Sequence, residues 1–214
     1  MSSGLDLVNI TFTYNNGRKL FDNYSYRQPQ GNIALWSGPS GYGKSTLAQI
    51  AVGHLEPDSG KTLWNGKELD EPGPDRFYVG TENDLFSWKK LRDQFAFLEK
   101  NVNYDRLLPL TEVEKMAEKL EIKDLFNNYP SQISTGEMRR FQLLRSLMIN
   151  SELMIFDETF SALDRRLKNR IFPQLVEYWK ARRNTVIIIS HESDTNFNYR
   201  FDQLVDFSDF PNDK

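Results

Sequence analysis

A glycine-rich loop contains the first residues of this sequence whose types and spacing suggest chemistry. Residues 38–45 read Gly-Pro-Ser-Gly-Tyr-Gly-Lys-Ser and follow the P-loop pattern G-x-x-x-x-G-K-[ST]. Glycines leave backbone N–H groups free to surround phosphate oxygens, and a helix that starts at the loop adds partial positive charge there. In such a loop Lys44 reaches the β- and γ-phosphates, and the Ser45 hydroxyl ligates Mg²⁺. The residues predicted to contact a nucleotide here are Gly38, Pro39, Ser40, Gly41, Tyr42, Gly43, Lys44, Ser45 and Thr46.

Two neighbouring carboxylates follow an apolar run further along the chain. Residues 153–156 read Leu-Met-Ile-Phe and are followed directly by Asp157 and Glu158. At the carboxyl end of a strand, Asp157 can hold Mg²⁺ through water, and Glu158 can polarise an attacking water. A base of that kind contributes roughly 10²–10⁴ in rate. Strands often end in surface acids by chance, but the pairing with an upstream P-loop favours a role in nucleotide hydrolysis.

A third segment opens a predicted helix with the residues Ser-Thr-Gly-Glu at 134–137. Ser134 and Glu137 have the spacing of a capping box. Gly136 costs the helix about 1 kcal/mol relative to alanine. Its presence indicates that another group comes close to this helix start, and a phosphate is the group that a helix N-terminus binds best.

The composition excludes several classes of protein. The chain has 214 residues, of which 39% are hydrophobic, and this is enough to build the core of one domain. It has no cysteine, which excludes disulfide scaffolds, Fe–S clusters and cysteine nucleophiles, and its two histidines, His54 and His191, are too few for a histidine metal cage. The net charge of -3 argues against a protein that coats nucleic acid. We find no secretion signal and no membrane-spanning run, so we expect a soluble chain in the cytosol, held at a membrane only by another polypeptide.

The order of apolar runs and helical patterns predicts an α/β protein with a parallel sheet and a β-rich N-terminal part. The predicted strands cover residues 7–14, 20–27, 33–36, 62–66, 77–79, 153–156 and 185–190, and the predicted helices cover 45–52, 91–98, 111–120, 136–150 and 163–180. Thr111 and Glu114 predict a capping box, and Pro173 predicts a kink or an early break in the last helix. We expect a single domain over residues 1–214, with a helical subdomain inserted at roughly residues 82–151.

Taken in this order, the motifs resemble those of the nucleotide-binding subunit of ABC transporters, and the resemblance extends over the whole chain. It implies a P-loop NTPase sheet core that carries an N-terminal β-rich part and an inserted helical subdomain. Residues 38–45 are similar to the Walker A loop, Asp157 to the Walker B aspartate and Glu158 to the catalytic glutamate. The expected cofactors are therefore ATP and Mg²⁺, and the expected activity is ATP hydrolysis coupled to transport.

The resemblance assigns further residues to the nucleotide. Tyr14 stands where the family stacks an aromatic ring on adenine. Residues 134–137 match the signature that touches the γ-phosphate bound by a second subunit, and Asp164 ends a match to the D-loop. His191 falls on the switch histidine that senses the γ-phosphate, so it is grouped with Glu158 as catalytic.

A local resemblance points to one branch of the family, and two positions depart from the family pattern. Residues 71–76 and 84–88 are similar to the nitrate, sulfonate and taurine importers. Thr81 stands where the family has a glutamine that contacts Mg²⁺, so it is a candidate metal ligand with a shorter side chain. Thr135 stands in the signature where the family usually has glycine. We expect ATP binding to be intact, and hydrolysis to be slower or coupled differently.

The main hypothesis is an ATPase subunit of an importer on the cytoplasmic face of the cell membrane. Its expected partners are a second ATP-binding subunit, identical or homologous, an integral-membrane permease subunit and an external solute-binding protein; no nucleic acid is expected. The sequence leaves two alternatives open. One is a soluble ABC-type ATPase that is not coupled to transport, and the other is a weakly hydrolysing nucleotide switch in a heterodimer.

Overall fold

The computed structural model describes residues 3–80, 85–101, 108–149, 151–191, 197 and 199–209, and strands and helices alternate along them. The strands are β1 (Gly4–Thr13), β2 (Lys19–Pro29), β3 (Ile33–Ser37), β4 (Ser59–Trp64), β5 (Lys67–Glu68), β6 (Arg76–Val79), β7 (Leu153–Asp157), β8 (Thr185–Ser190) and β9 (Gln203–Asp206). The α-helices are α1 (Lys44–Val52), α2 (Leu91–Asn101), α3 (Leu110–Lys119), α4 (Thr135–Met148) and α5 (Arg165–Arg182). Within these residues, none of the helices combines the length and apolar character that crossing a bilayer requires.

The central sheet has five parallel strands in the order β6-β7-β8-β3-β9. Its register pairs Ser37, the last residue of β3, with Ser190, and Asp157, the last residue of β7, with Ile189. The carboxyl ends of β3, β7 and β8 therefore lie side by side. In parallel sheets ligands bind outside this edge, so the register alone brings the residues that follow these three strands to one place.

The inner strands of the central sheet, β7, β8 and β3, are buried on both faces, which explains their near-continuous apolar runs. Leu35 and Ile188 face one side and belong to the core that α2 to α5 complete. Trp36 and Ile189, the next residue of each strand, face the other side and pack with α1 and the N-terminal sheet. Alternate residues of one strand thus serve two different cores.

The N-terminal part forms a second, antiparallel sheet in the order β2-β1-β4-β5. Leu5, Leu7 and Ile10 of β1 are fully buried against the same core as α1. Asn65 and Gly66 connect β4 to β5 with φ angles of 52° and 79°, the left-handed conformations that a tight hairpin turn requires. The predicted β-rich N-terminal part is present.

Helices α2, α3 and α4 lie between β6 and β7 in the chain, as the apolar periodicity predicted. The predicted capping box of Thr111 and Glu114 is wrong. Helix α3 already begins at Leu110, and its N-cap is Pro109, which makes no side-chain cap bond. The ring of Pro109 fixes its φ angle at −56°, a value that suits the start of a helix. The helix therefore begins directly after this proline, and Thr111 lies inside its first turn and not at the N-cap.

Helix α5 contains Pro173 and does not break there. The helix runs from Arg165 to Arg182 and ends at Arg183, which takes a left-handed conformation with φ 56°. A proline inside a helix lacks the N–H that would bond to the residue four positions before it. Burial of Ile171, Phe172 and Leu175 around the proline holds the two halves of the helix on the core.

Candidate nucleotide-binding site

The glycine-rich loop connects the end of β3 to the start of α1. Gly43 is the N-cap of α1 and has a φ of 90°. A Cβ at this position would lie 2.7 Å from Cζ of Phe21 and 2.9 Å from Cδ2 of Leu20, so glycine alone fits both the backbone and the packing. Helix α1 has no acidic residue in its first turn. Its N-terminus therefore presents free N–H groups and partial positive charge at the loop.

Lys44 lies on the inner side of the loop and is only 5% exposed. Its ammonium donates hydrogen bonds of 2.7 Å to the carbonyl oxygens of both Gly38 and Pro39. Burial lowers the pKa of Lys44, while the nearby carboxylates of Glu158 and Asp157 act in the opposite direction. The loop thus holds a buried cation beside two acidic groups.

Asp157 ends β7 and is 2% exposed. A buried carboxylate needs hydrogen-bond donors to offset the loss of water. Tyr78 of β6 provides one, since its hydroxyl donates a 2.8 Å hydrogen bond to Oδ2 of Asp157. The strand next to β7 therefore contributes a side chain to the same site.

Glu158 directly follows β7 and takes a left-handed conformation with φ 53°. For a residue other than glycine, this conformation costs of order 1–3 kcal/mol and is typical of functional sites. Burial raises the pKa of Glu158; His191 opposes this shift, Asp157 adds to it and Lys44 opposes it. The main-chain N–H of Glu158 donates to the carbonyl of Ile189 at 3.0 Å, which fixes the turn against β8.

His191 follows β8 and joins the loop to Glu158. Its Nε2 lies 3.1 Å from Oε1 of Glu158 and 3.3 Å from the hydroxyl of Ser40, and its Nδ1 lies 3.2 Å from the carbonyl oxygen of Gly38. These contacts follow from the strand register, because β3 and β8 end side by side. The imidazole is thus placed between the loop and the acidic end of β7.

The loop, the acidic pair and the histidine surround a cleft of about 320 Å³. Its lining consists of Tyr14, Ser40, Gly41, Gly43, Lys44, Ser45, Thr46, Asp157, Glu158 and His191. The hydroxyl of Tyr14 lies 2.7 Å from that of Thr46, and this contact places the tyrosine beside the start of α1. Gly38, Pro39 and Tyr42 complete the loop. Ten of the predicted site residues therefore line one space.

The signature residues lie outside this cleft. Ser134 is the N-cap of α4 and forms the predicted capping box with Glu137, whose carboxylate accepts from the main-chain N–H of Ser134 at 2.7 Å. Gly136 lies in the first turn of the same helix. Asp164 is the N-cap of α5, where its carboxylate accepts a 2.9 Å hydrogen bond from a main-chain N–H of the first turn.

Two residues that bond to the lining of the cleft were not found from the sequence. Tyr78 contacts Asp157, and the guanidinium of Arg18 donates to the carbonyl of Gly41 at 3.2 Å. The alternation of β6 could have suggested Tyr78, but only the register of β6 against β7 shows that its hydroxyl reaches Asp157. Arg18 follows a turn, and no local pattern relates it to the loop.

The oxygen atoms near the loop fit a magnesium ion. The Ser45 hydroxyl and the Asp157 carboxylate both line the cleft, and oxygen is the donor that Mg²⁺ prefers. Proteins commonly bind Mg²⁺ through one or two side chains together with substrate phosphates and water, which suits this pair. Thr81, the third predicted ligand, lies outside the described residues.

Comparisons with known proteins agree with this geometry. The nitrate import ATP-binding protein NrtD of Synechococcus elongatus is 34% identical over 169 residues, which cover 77% of this chain and 61% of NrtD. The taurine import ATP-binding protein TauB of Pelagibacter ubique is 34% identical over 165 residues, which cover 76% of this chain and 61% of TauB. This chain therefore spans about three fifths of the length of these relatives.

The fold is shared with a solved structure as well. A Pyrococcus furiosus protein assigned as an ABC transporter ATP-binding protein superimposes with a TM-score of 0.79 at 23% identity, over 97% of this chain and 99% of that one. This likeness confirms the predicted α/β fold with a parallel sheet core. The family model of the ABC transporters matches residues 21–161. Because this match covers more than half of the residues, the chain belongs to the ABC transporter family.

Proposed function

We propose that this chain is an ATP-binding subunit that hydrolyses ATP to drive the import of a small solute through a separate membrane subunit. The observation that carries the proposal is the cleft in which the P-loop, Asp157, Glu158 and His191 meet. The names of the nitrate and taurine import relatives support import as the direction of transport. Nitrate is an anion and taurine carries a sulfonate, so a small solute with an anionic group is the class that fits best.

The cleft supports an orientation for ATP. The ring of Tyr14, beside Thr46, offers a flat surface for the adenine. The loop amides and the N-terminus of α1 face the phosphates. Lys44 exchanges the carbonyl oxygens of Gly38 and Pro39 for oxygens of the β- and γ-phosphates, which brings its charge to the bond that breaks.

Hydrolysis needs a base at the γ-phosphate, and Glu158 suits that role. Its carboxylate accepts a proton from water as the water oxygen attacks the γ-phosphorus, and the bond from that phosphorus to the β–γ bridging oxygen breaks to give ADP and phosphate. His191 lies beside this carboxylate, with its Nε2 3.1 Å from Oε1 of Glu158. Magnesium, held by Ser45, by Asp157 through water and by Thr81, would neutralise charge on the phosphates.

A second ATP-binding subunit would complete the site. Ser134, Gly136, Glu137 and Asp164 lie outside the cleft of their own chain, so their proposed contacts with nucleotide need the cleft of another copy or a homologue. The permease subunit would dock near residues 85–88, where Trp88 is 71% exposed; Asp84, predicted to lie at the same place, is outside the described residues. This arrangement puts the chain on the cytoplasmic face of the membrane, with an external solute-binding protein on the other side.

The Glu158→Gln variant tests the proposal. With ATP and magnesium, the wild-type chain should hydrolyse ATP, and the variant should bind ATP, accumulate as an ATP-bound dimer and turn over at least about 10²-fold more slowly, because the amide cannot accept the proton. Glu177→Gln, at an exposed position of α5, is the matched control and should behave like the wild type. Turnover by Glu158→Gln at the wild-type rate would refute the role given to Glu158.

A second experiment separates transport from a soluble ATPase. The chain is extracted from its native cells in mild detergent and purified by affinity, and the co-purifying chains are identified by mass spectrometry. A stable complex with a polytopic membrane protein is the expected result. Recovery of the chain with soluble partners alone would favour an ATPase that is not coupled to transport.

A further inference from the structure

The hydroxyl of Tyr78 reaches the buried carboxylate of Asp157 because of the sheet register. Tyr78 pairs with Ile155 across β6 and β7, so Asp157, two residues further on, points to the same face of the sheet. That face belongs to the core formed with α1, against which the Tyr78 ring packs. The resulting hydrogen bond, from the phenol to Oδ2 of Asp157, is 2.8 Å long.

The ring of Tyr78 lies close to two neighbours, Gly80 and His54. Gly80 leaves the room that the ring occupies, since a Cβ on Gly80 would lie 3.0 Å from Cε1 of Tyr78. The ring of His54, in the segment after α1, meets the Tyr78 ring edge to face, with centroids 6.1 Å apart at 83°. A phenol fixed in this way loses little conformational entropy when it orients a carboxylate.

Asp157 needs such orientation. It is 2% exposed and lies close to the charges of Lys44, which attracts it, and Glu158, which repels it. A donor on Oδ2 fixes the carboxylate plane and leaves Oδ1 for a water of the metal shell. Partners that orient a metal-holding group in this way typically change metal affinity by 10–100-fold.

We propose that Tyr78 is a positioning residue that fixes Asp157 for magnesium and so sets the metal concentration that the protein needs. The inference rests on the proposed function, because it assumes that Mg·ATP binds in the cleft. It adds a residue of β6 that the motifs do not include. The proposed role of Tyr78 is indirect, since its hydroxyl bonds to Asp157 and Asp157 in turn holds the metal.

The test compares the full-length wild type with Tyr78→Phe, which keeps the ring and removes only the hydroxyl. Mn²⁺ binding is followed through the electron paramagnetic resonance signal of the free ion, with protein in excess over ATP and a protein-free Mn·ATP titration as the reference, and the Mg²⁺ concentration for half-maximal ATPase activity is measured separately. In the variant, we expect half-maximal Mn²⁺ binding and half-maximal ATPase activity to require metal concentrations about tenfold higher. ATP binding in EDTA and turnover at saturating magnesium should remain at wild-type values.

Tyr178→Phe is the matched control, because its hydroxyl also donates to an oxygen, the carbonyl of Leu147 at 3.2 Å, on the helical side of the molecule. It should leave metal binding unchanged. If Tyr78→Phe binds Mn²⁺ like the wild type, or loses turnover that excess magnesium does not restore, the role of Tyr78 is overturned while the proposed function stands. If the wild type with ATP takes up no more Mn²⁺ than ATP alone, both fail.

Discussion

At Glu158, the backbone conformation and the burial of the carboxylate both lower the stability of the folded chain. Its carboxylate sits in the wall of the cleft on a left-handed backbone with φ 53°. Burial raises its pKa, and the contact with His191 offsets only part of that shift. The charged form is therefore less favourable in the folded chain than in the unfolded one. In the proposed role this is an advantage, because a base with a raised pKa accepts a proton more readily.

This imbalance predicts that Glu158→Gln is more stable to heat than the wild type at neutral pH. A carboxyl whose pKa is higher in the folded state holds more protons folded than unfolded in the window between the two values. The wild type therefore loses stability as the pH rises through that window, and the loss persists above it. Melting temperatures of both proteins from about pH 4 to pH 8 should diverge as the pH rises. A variant that is less stable at neutral pH, or a difference independent of pH, would contradict this reasoning.

The same raised pKa bears on activity. Since the base must be ionised, turnover at saturating Mg·ATP should fall in acid, starting at a higher pH than an ordinary glutamate would give. The pH dependence of kcat in the wild type measures this. A profile that stays flat down to the pKa range of an exposed glutamate would argue that another group accepts the proton.

At the scale of elements, the sequence predicts the turns that follow the central strands. It does not predict which side chains of neighbouring elements contact those turns. The P-loop between β3 and α1, the acids after β7 and His191 after β8 all follow apolar runs with recognisable chemistry. The two-residue strand β5 and the four-residue strand β9 were missed, since both are short and neither contains a buried residue. Tyr78 was missed for a different reason: its contact depends on register, which no local pattern encodes.

Helix α5 gives a test at this scale, because Asp164 caps its N-terminus. Asp164→Ala should lower the free energy of unfolding by about 1 kcal/mol, while Asp164→Ser, which keeps a capping oxygen, should lower it by much less. Chemical denaturation measures both. If the D-loop assignment also holds, Asp164→Ser lowers ATPase activity although the cap is kept. Equal stability of Asp164→Ala and the wild type would show that the observed hydrogen bond contributes nothing.

On the scale of the whole molecule, the residues proposed to contact nucleotide fall into two groups, one that lines the cleft and one outside it. The cleft lies at the carboxyl edge of the central sheet, whereas Ser134 begins α4 and does not line that cleft. The sequence predicted both sets of residues through their family resemblance, yet it could not give their separation, which depends on how α2 to α4 pack on the sheet. One chain therefore supplies half of each of two proposed sites.

Because of this separation, we predict that different substitutions disrupt ATP binding by a single chain and assembly of the ATP-dependent dimer. In a Glu158→Gln background, Ser134→Arg should leave Mg·ATP binding by the single chain unchanged and abolish the ATP-dependent dimer, because a long cation fills the space meant for the partner's nucleotide. Asn127→Arg, at another exposed position of the helical region, should still dimerise. Light scattering with and without ATP measures the mass. A dimer that persists in Ser134→Arg would remove the signature from the interface.

Titration calorimetry with Mg·ATP tests the central claim most directly, since every role assigned above depends on a triphosphate held by the loop at residues 38–45. The folded wild-type chain should release or absorb heat and saturate at ATP concentrations of about 1 mM or less. Lys44→Ala should lose most of that heat, because the buried ammonium is the cation nearest the loop carbonyls. A folded wild type that gives no heat of binding at this concentration would contradict the account.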